Sequence, residues 1–386
     1  MLFVDNLRTA LTMLVVVHHI SVIYSGSTRF YYLEPSESAF FNTALIFFQL
    51  CDQAYFMGLF FFLSGYFTPA SLDRRGTRKF IVDRLVKLGA PLAAYYFLLN
   101  PIAGIAFIQR RPPVWPEGTY KWTMGVGPLW FIVMLLVFDI GYALWRLSIS
   151  RIKRGTARAW ANGQAPAPEL ALESAPELVP FNARTIVIFV ISLSIASYLM
   201  RIAIPFSKTV FWFPTLAYLP QYISFFTLGI LANRGDWLRK LPERYEKRGF
   251  AAAVLSLILL LLAVVSPDWR SWDTAFFGGG TWKSGAYAMW DSVFSVGICL
   301  WLITFFRRRF NFQNAFSDFM QKNSFTVFVI HSPVISLIAA FALRDLKINA
   351  LLKFGLAVVI CLPFCYAIAW LIRKIWSIIA KSFRLH

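Results

Sequence analysis

Residues 7–25 read LRTALTMLVVVHHISVIYS. Apart from one arginine near the start and a histidine pair beyond the middle, the run holds only apolar and small hydroxyl side chains. A stretch of about 20 such residues is what a helix needs to cross about 30 Å of hydrocarbon. Comparable runs recur near 44–67, 88–107, 127–147, 185–204, 214–232, 250–266, 286–305, 323–342 and 351–376. The sequence therefore predicts an all-α integral membrane protein, a bundle of about ten transmembrane helices forming a single domain over residues 1–386. Composition agrees, with 58% hydrophobic and 15% charged residues where soluble domains carry about 25% charged. No small-residue cleavage site follows the first run, so it is expected to remain as helix one rather than serve as a signal peptide.

The formal net charge is +19, but the basic residues cluster between apolar runs and no nucleic-acid motif accompanies them. With a cytoplasmic N-terminus, 27 of the 38 Lys and Arg residues fall on the inner side, as the positive-inside rule requires. That asymmetry predicts an even number of spans with both termini cytoplasmic. The stretch near 148–184 contains GQAPAPELALESAPELVP, which has no aromatic residue to bury and is expected to be a flexible cytoplasmic loop. PDWRSWDTAFFGGGTWKSG at 267–285 is expected outside, either as an interfacial aromatic belt or as a cover for an external site able to stack on sugar rings. Cys51, Cys299, Cys361 and Cys365 lie inside apolar runs without metal-ligand spacing. No metal site is expected.

Arg8 and His19 are eleven positions apart, which on a helix returns to within about 20° of the same face, about 16 Å further along the axis. Arg8 falls at the membrane boundary and His19 near mid-membrane, where ionisable groups are costly and usually face a bundle interior or a wet cavity. A guanidinium suits a phosphate or a polarised carbonyl, and an imidazole suits proton removal from a hydroxyl. The spacing is equally compatible with an interfacial anchor at Arg8 and an interhelical hydrogen bond at His19. His18 is rotated about 80° from Arg8 and is the weaker catalytic candidate.

The pattern in DNLRTALTMLVVVHH resembles the opening motif of the membrane acyltransferase-3 family. FFFLSGYF at 60–67, GTRKFIVDRLVKLGAPL at 76–92, GPLWFIVMLL at 127–136, ISFFTLGILA at 223–232 and SFTVFVIHSP at 324–333 are similar to later family segments, in order. HISVIYSG at 19–26 and KLGAP at 87–91 resemble most the glucan-biosynthesis, succinyltransferase-like branch. The absence of a hydrolase-like segment after the last run matches the stand-alone form. One departure is in the basic segment, where many relatives have consecutive arginines and this chain has Asp83, Arg84 and Lys87.

The resemblance implies a bacterial inner-membrane enzyme that moves an acyl group, acetyl or succinyl, from cytoplasmic acyl-CoA to a hydroxyl of a glycan or other envelope acceptor. No resident cofactor is implied; acyl-CoA is a co-substrate. His19 would act as general base with Arg8 at the inner mouth, while Arg84, Lys87 and Ser64 would hold the donor. Asp52, His331 and Trp130 are supporting candidates, Asp52 at a depth that could fix the His19 tautomer and His331 as either a site residue or a partner of a disrupted backbone. Asp291 and Asp139 are further polar positions, Asp139 expected at the interface. The alternative is an exporter of a polar or lipid-linked saccharide, disfavoured by the lack of internal repeats.

Overall fold

The structure is a computed structural model that describes residues 1–109, 125–161, 182–206, 208, 216–265 and 278–382. The described part of each apolar run is helical, and the described residues contain no strand. In chain order the helices are α1 Leu2–Ser25, α2 Ala39–Arg75, α3 Thr77–Phe107, α4 Trp130–Ala161, α5 Ala183–Ala203, α6 Leu219–Gly235, α7 Arg244–Val265, α8 Trp282–Arg309, α9 Ala315–Leu337 and α10 Ala350–Ser382. Eight segments are long and apolar enough to cross a membrane. The two not among them are α6, with 17 residues, and α7.

Helix α4 runs on to Ala161, so the first part of the loop expected near 148–184 is helical instead. Nothing in ISRIKRGTARAWA stops a helix before the Asn162–Gly163 pair. Residues 162–181 lie outside the described set, as do 266–277 of the aromatic loop. The end of that loop belongs to α8.

Two compact units are distinguished, the first comprising 1–56, 91–130 and 302–386 and the second 57–90 and 131–301. In the first, α1 packs against α9 and α10, and α9 against α10. Leu7, Leu11, Val15, Val16 and Ile20 of α1 are buried. Side-chain amides fix its start, with Asn6 Nδ2 donating to the carbonyls of Phe310 and Phe312 at 2.7 and 2.9 Å and Gln321 Nε2 donating to Asn6 Oδ1 at 2.8 Å. Helix α9 opens on a capping box in which Asn314 and Ser317 each satisfy the other's backbone N–H. It carries Pro333 inside and continues as a π-helical turn, Ile338–Leu343.

In the second unit the C-terminal half of α2 and α6 approach through glycine. A Cβ on Gly65 would stand 2.2 Å from the Phe226 carbonyl oxygen, and one on Gly229 2.2 Å from that of Phe62. The motifs FFFLSGYF and ISFFTLGILA are therefore two sides of one close helix crossing, the small-residue packing favoured in bilayers. Gly65→Ala forces backbone apart, and overpacking of this kind costs about 1–3 kcal/mol. A lowered thermal midpoint in detergent is the expected result; an unchanged midpoint would mean that α2 and α6 do not meet this closely.

Candidate active site

Of the four histidines in the chain, His18, His19 and His331 come together in the first unit. The His19 ring lies with its centroid 4.8 Å from that of His331 on α9 and 5.2 Å from Phe30, so it faces the packed side of α1. His19 Nδ1 is 2.8 Å from the Val15 carbonyl one turn earlier. A carbonyl oxygen only accepts, so Nδ1 carries the proton and Nε2 presents its lone pair. His331 is held the same way, donating from Nδ1 to the Phe328 carbonyl at 2.7 Å. It is fully buried, and its Nε2 has no hydrogen-bond partner among the described residues. His331 thus makes a backbone hydrogen bond and lies beside His19.

Asp52 does not hold His19. Its Oδ2 is 3.5 Å from His18 Nδ1, and the His18 ring stacks on Phe56 at 5.1 Å. Neighbouring helical residues diverge by about 100°, so a small difference in the azimuth of α2 decides which imidazole the carboxylate meets. The tautomer of His19 is set by its own helix backbone instead. Arg8 occupies the first third of the same unbroken helix and is partly buried, preserving the eleven-residue relation to His19.

A buried hydroxyl ladder runs beside the histidines, and the sequence did not point to it. Tyr31 donates to Asn100 Oδ1, its oxygen is 2.8 Å from the Tyr95 hydroxyl, and Tyr95 is 2.7 Å from the hydroxyl of Ser332, the residue after His331. Because the Tyr31 proton goes to Asn100, each hydroxyl can donate once along the chain from Ser332 to Asn100. Burial raises the Tyr31 phenol well above its ordinary value, with Tyr95 adding to the effect, which keeps that hydroxyl protonated. Gly127, at φ 44°, lies against this pair; a Cβ there would stand 2.5 Å from Tyr31 Oη and 2.6 Å from Tyr95 Oη. GPLW is thus a packing turn that also starts α4, with Trp130 buried at its first position.

The basic segment belongs to the second unit. Arg74, Arg75, Lys79, Asp83 and Lys87 line an open pocket of about 500 Å³. Residues 79, 83 and 87 recur every four positions and so share a helical face, carried into the π-helical turn Leu85–Gly89. Arg75 pairs with Asp83, and Arg74, Lys79 and Lys87 face no carboxylate within ion-pair distance among the described residues. Arg84 and Ser64 are not in its lining. Arg84 Nε is 3.0 Å from Asp139 Oδ2, and Thr68 donates to Asp139 Oδ1 at 2.8 Å while lying 2.9 Å from the Ser64 carbonyl. Asp139 is fully buried; the Arg84 charge and the Thr68 hydroxyl make that burial tolerable.

The profile of a family described as an acyltransferase domain matches residues 1–370. The glucans biosynthesis protein C of Escherichia coli strain K12 is 24% identical over 361 residues, covering 90% of this chain and 85% of the relative. The protein of the same name from Escherichia coli O6:K15:H31 aligns with the same identity and coverage. No solved structure is a significant match. The chain is a multi-pass membrane protein that belongs to the membrane acyltransferase-3 family.

Proposed function

We propose that this protein is an O-acyltransferase of the bacterial inner membrane, with ten spans and both termini cytoplasmic, that moves an acetyl or succinyl group from cytoplasmic acyl-CoA to a hydroxyl of an envelope glycan. The observation that carries the reading is the hydrogen bond from His19 Nδ1 to Val15, which leaves Nε2 unprotonated in a partly exposed position ready to accept a hydroxyl proton. In the reaction the acceptor O–H proton passes to His19 Nε2 as the oxygen bonds to the thioester carbonyl carbon. The C–S bond breaks, and the protonated imidazole returns its proton to the departing thiolate. His331 Nε2, beside it, is placed to accept from a second hydroxyl and hold the acceptor. The glucan in the name of the Escherichia coli relatives supports a saccharide acceptor.

Donor recognition falls to the cationic groups. Arg74, Lys79 and Lys87 in the basic pocket suit the phosphates of CoA, and the charge asymmetry supports a cytoplasmic position for that pocket, on the side where acyl-CoA is found. Arg8, at the inner end of α1, would meet the thioester end of the donor. Arg84 is engaged with Asp139 and supports the segment that presents Lys87.

The experiment is transfer of radiolabel from acetyl-CoA or succinyl-CoA to gluco-oligosaccharides by the purified protein in phospholipid vesicles, with mass spectrometry of the product. A covalent adduct supports the enzyme; saccharide moved across the membrane chemically unaltered would make it a transporter. Arg8→Lys keeps the charge and loses the planar fork. It is expected to raise the KM for acyl-CoA roughly tenfold, about 1.4 kcal/mol, and an unchanged KM would remove Arg8 from donor binding.

A further inference from the structure

In the second unit, Arg201 in the last turn of α5 and Asp291 on α8 form an ion pair, with Nη2 donating to Oδ2 at 2.6 Å. Both are almost completely inaccessible, at 0% and 1% exposure. Rings enclose the guanidinium, whose carbon lies 4.8 Å from the centroid of Phe206 and 5.1 Å from those of Tyr218 and Tyr287. A buried pair offsets its desolvation only when its remaining donors and acceptors are also satisfied. Here they are not: Arg201 Nε and Nη1 and Asp291 Oδ1 have no hydrogen-bond partner among the described residues, and neither do Ser284 Oγ and Trp290 Nε1. Ser284, Tyr287 and Asp291 share one face of α8, and Trp290 packs 5.3 Å from Tyr287. Native interiors rarely leave so many polar atoms unmatched in one place, and each such atom calls for a partner.

We propose that this cluster is a binding site for a neutral oligosaccharide. The pair cancels in charge, so an ionic ligand would bring a charge with nothing to balance it. The unmatched atoms include both donors and acceptors, which a run of sugar hydroxyls satisfies because each both gives and takes a hydrogen bond. The aromatic walls suit the C–H faces of pyranose rings. Taking that saccharide as the acyl acceptor rests on the function proposed above; its binding does not.

The test is titration of maltopentaose and cellopentaose, without acyl-CoA, against the full chain in phospholipid nanodiscs free of sugar-headed detergents, followed by saturation-transfer NMR. Trp290→Phe keeps a six-membered aromatic ring and removes the pyrrole half of the indole with its N–H, and Ser284→Ala removes one hydroxyl. Deleting an unmatched buried polar atom leaves stability unchanged or higher, so Ser284→Ala is expected to keep its thermal midpoint, Trp290→Phe to lower it by the volume removed, and both to bind about 5- to 10-fold more weakly, a loss in the range of one hydrogen bond. Asp291→Asn is expected to weaken binding by at least about tenfold. Wild-type affinity in both conservative variants would overturn the proposal, with structural water then occupying the cluster. So would absence of wild-type binding to either sugar at about 10 mM, beyond the weakest useful affinity. His19→Ala is expected to bind sugar like the wild type. Normal acyl transfer by His19→Ala would sink the catalytic reading alone, and lost transfer beside unaltered sugar binding in Trp290→Phe would sink this one alone.

Discussion

Replacing His19 by alanine is expected to lower acyl-transfer turnover by about 10²- to 10⁴-fold, the usual contribution of a general base, while the protein stays folded and inserted. The ring is partly exposed and, among the described residues, hydrogen-bonds only to its own helix, at Val15, so its loss leaves no buried charge and no tertiary partner beyond the faces of His331 and Phe30. Initial rates with radiolabelled donor in vesicles, normalised to monodisperse protein, provide the measurement. His18→Ala is the internal control. That ring projects toward Asp52 and Phe56, and its loss should cost far less turnover than the loss of its neighbour. Full activity in His19→Ala, or equal losses in the two variants, would leave the base unassigned.

The elements were legible because apolar periodicity and helix length are local properties. The run at 185–204 became Ala183–Ala203, while the run at 44–67 became the longer Ala39–Arg75, since a helix does not stop where hydrocarbon stops. How many of these helices span depends on how their polar ends sit at the interface, which apolar runs alone do not decide. Within the site, the relation of Arg8 to His19 was readable because one helix carries both. The contact of His19 with His331 was not, because it requires α1 to pack on α9 across more than 300 residues of chain. Asp52 missed His19 by one position, the smallest error helical geometry allows. For Arg84 the resemblance outweighed a signal already present: Lys79, Asp83 and Lys87 repeat every fourth residue, and Arg84 stands about 100° off that face, toward Asp139. The hydroxyl ladder combines a loop tyrosine with residues of two separate helices, α3 and α9, and leaves no mark at any fixed spacing.

The Arg84–Asp139 pair separates architecture from donor binding. Asp139→Ala removes the carboxylate that faces Arg84 Nε and the Thr68 hydroxyl, stranding a largely buried guanidinium, and breaking such a pair from one side costs about 3–5 kcal/mol. A large fall in thermal midpoint and in the yield of folded protein is expected. Removing both partners together avoids the stranded charge, so Arg84→Met with Asp139→Leu should recover most of that loss, as apolar replacements of buried pairs commonly do. If Arg84 acts only by supporting the segment that carries Lys87, the double variant will also keep the wild-type KM for acyl-CoA, whereas Lys79→Ala in the basic pocket will raise it. A double variant that is stable but has lost acyl-CoA affinity would return Arg84 to the donor site, with Asp139 as the group that aims it. A destabilised double variant would mean that the buried polar network of Ser64, Thr68 and Asp139 contributes to the fold beyond the ion pair itself.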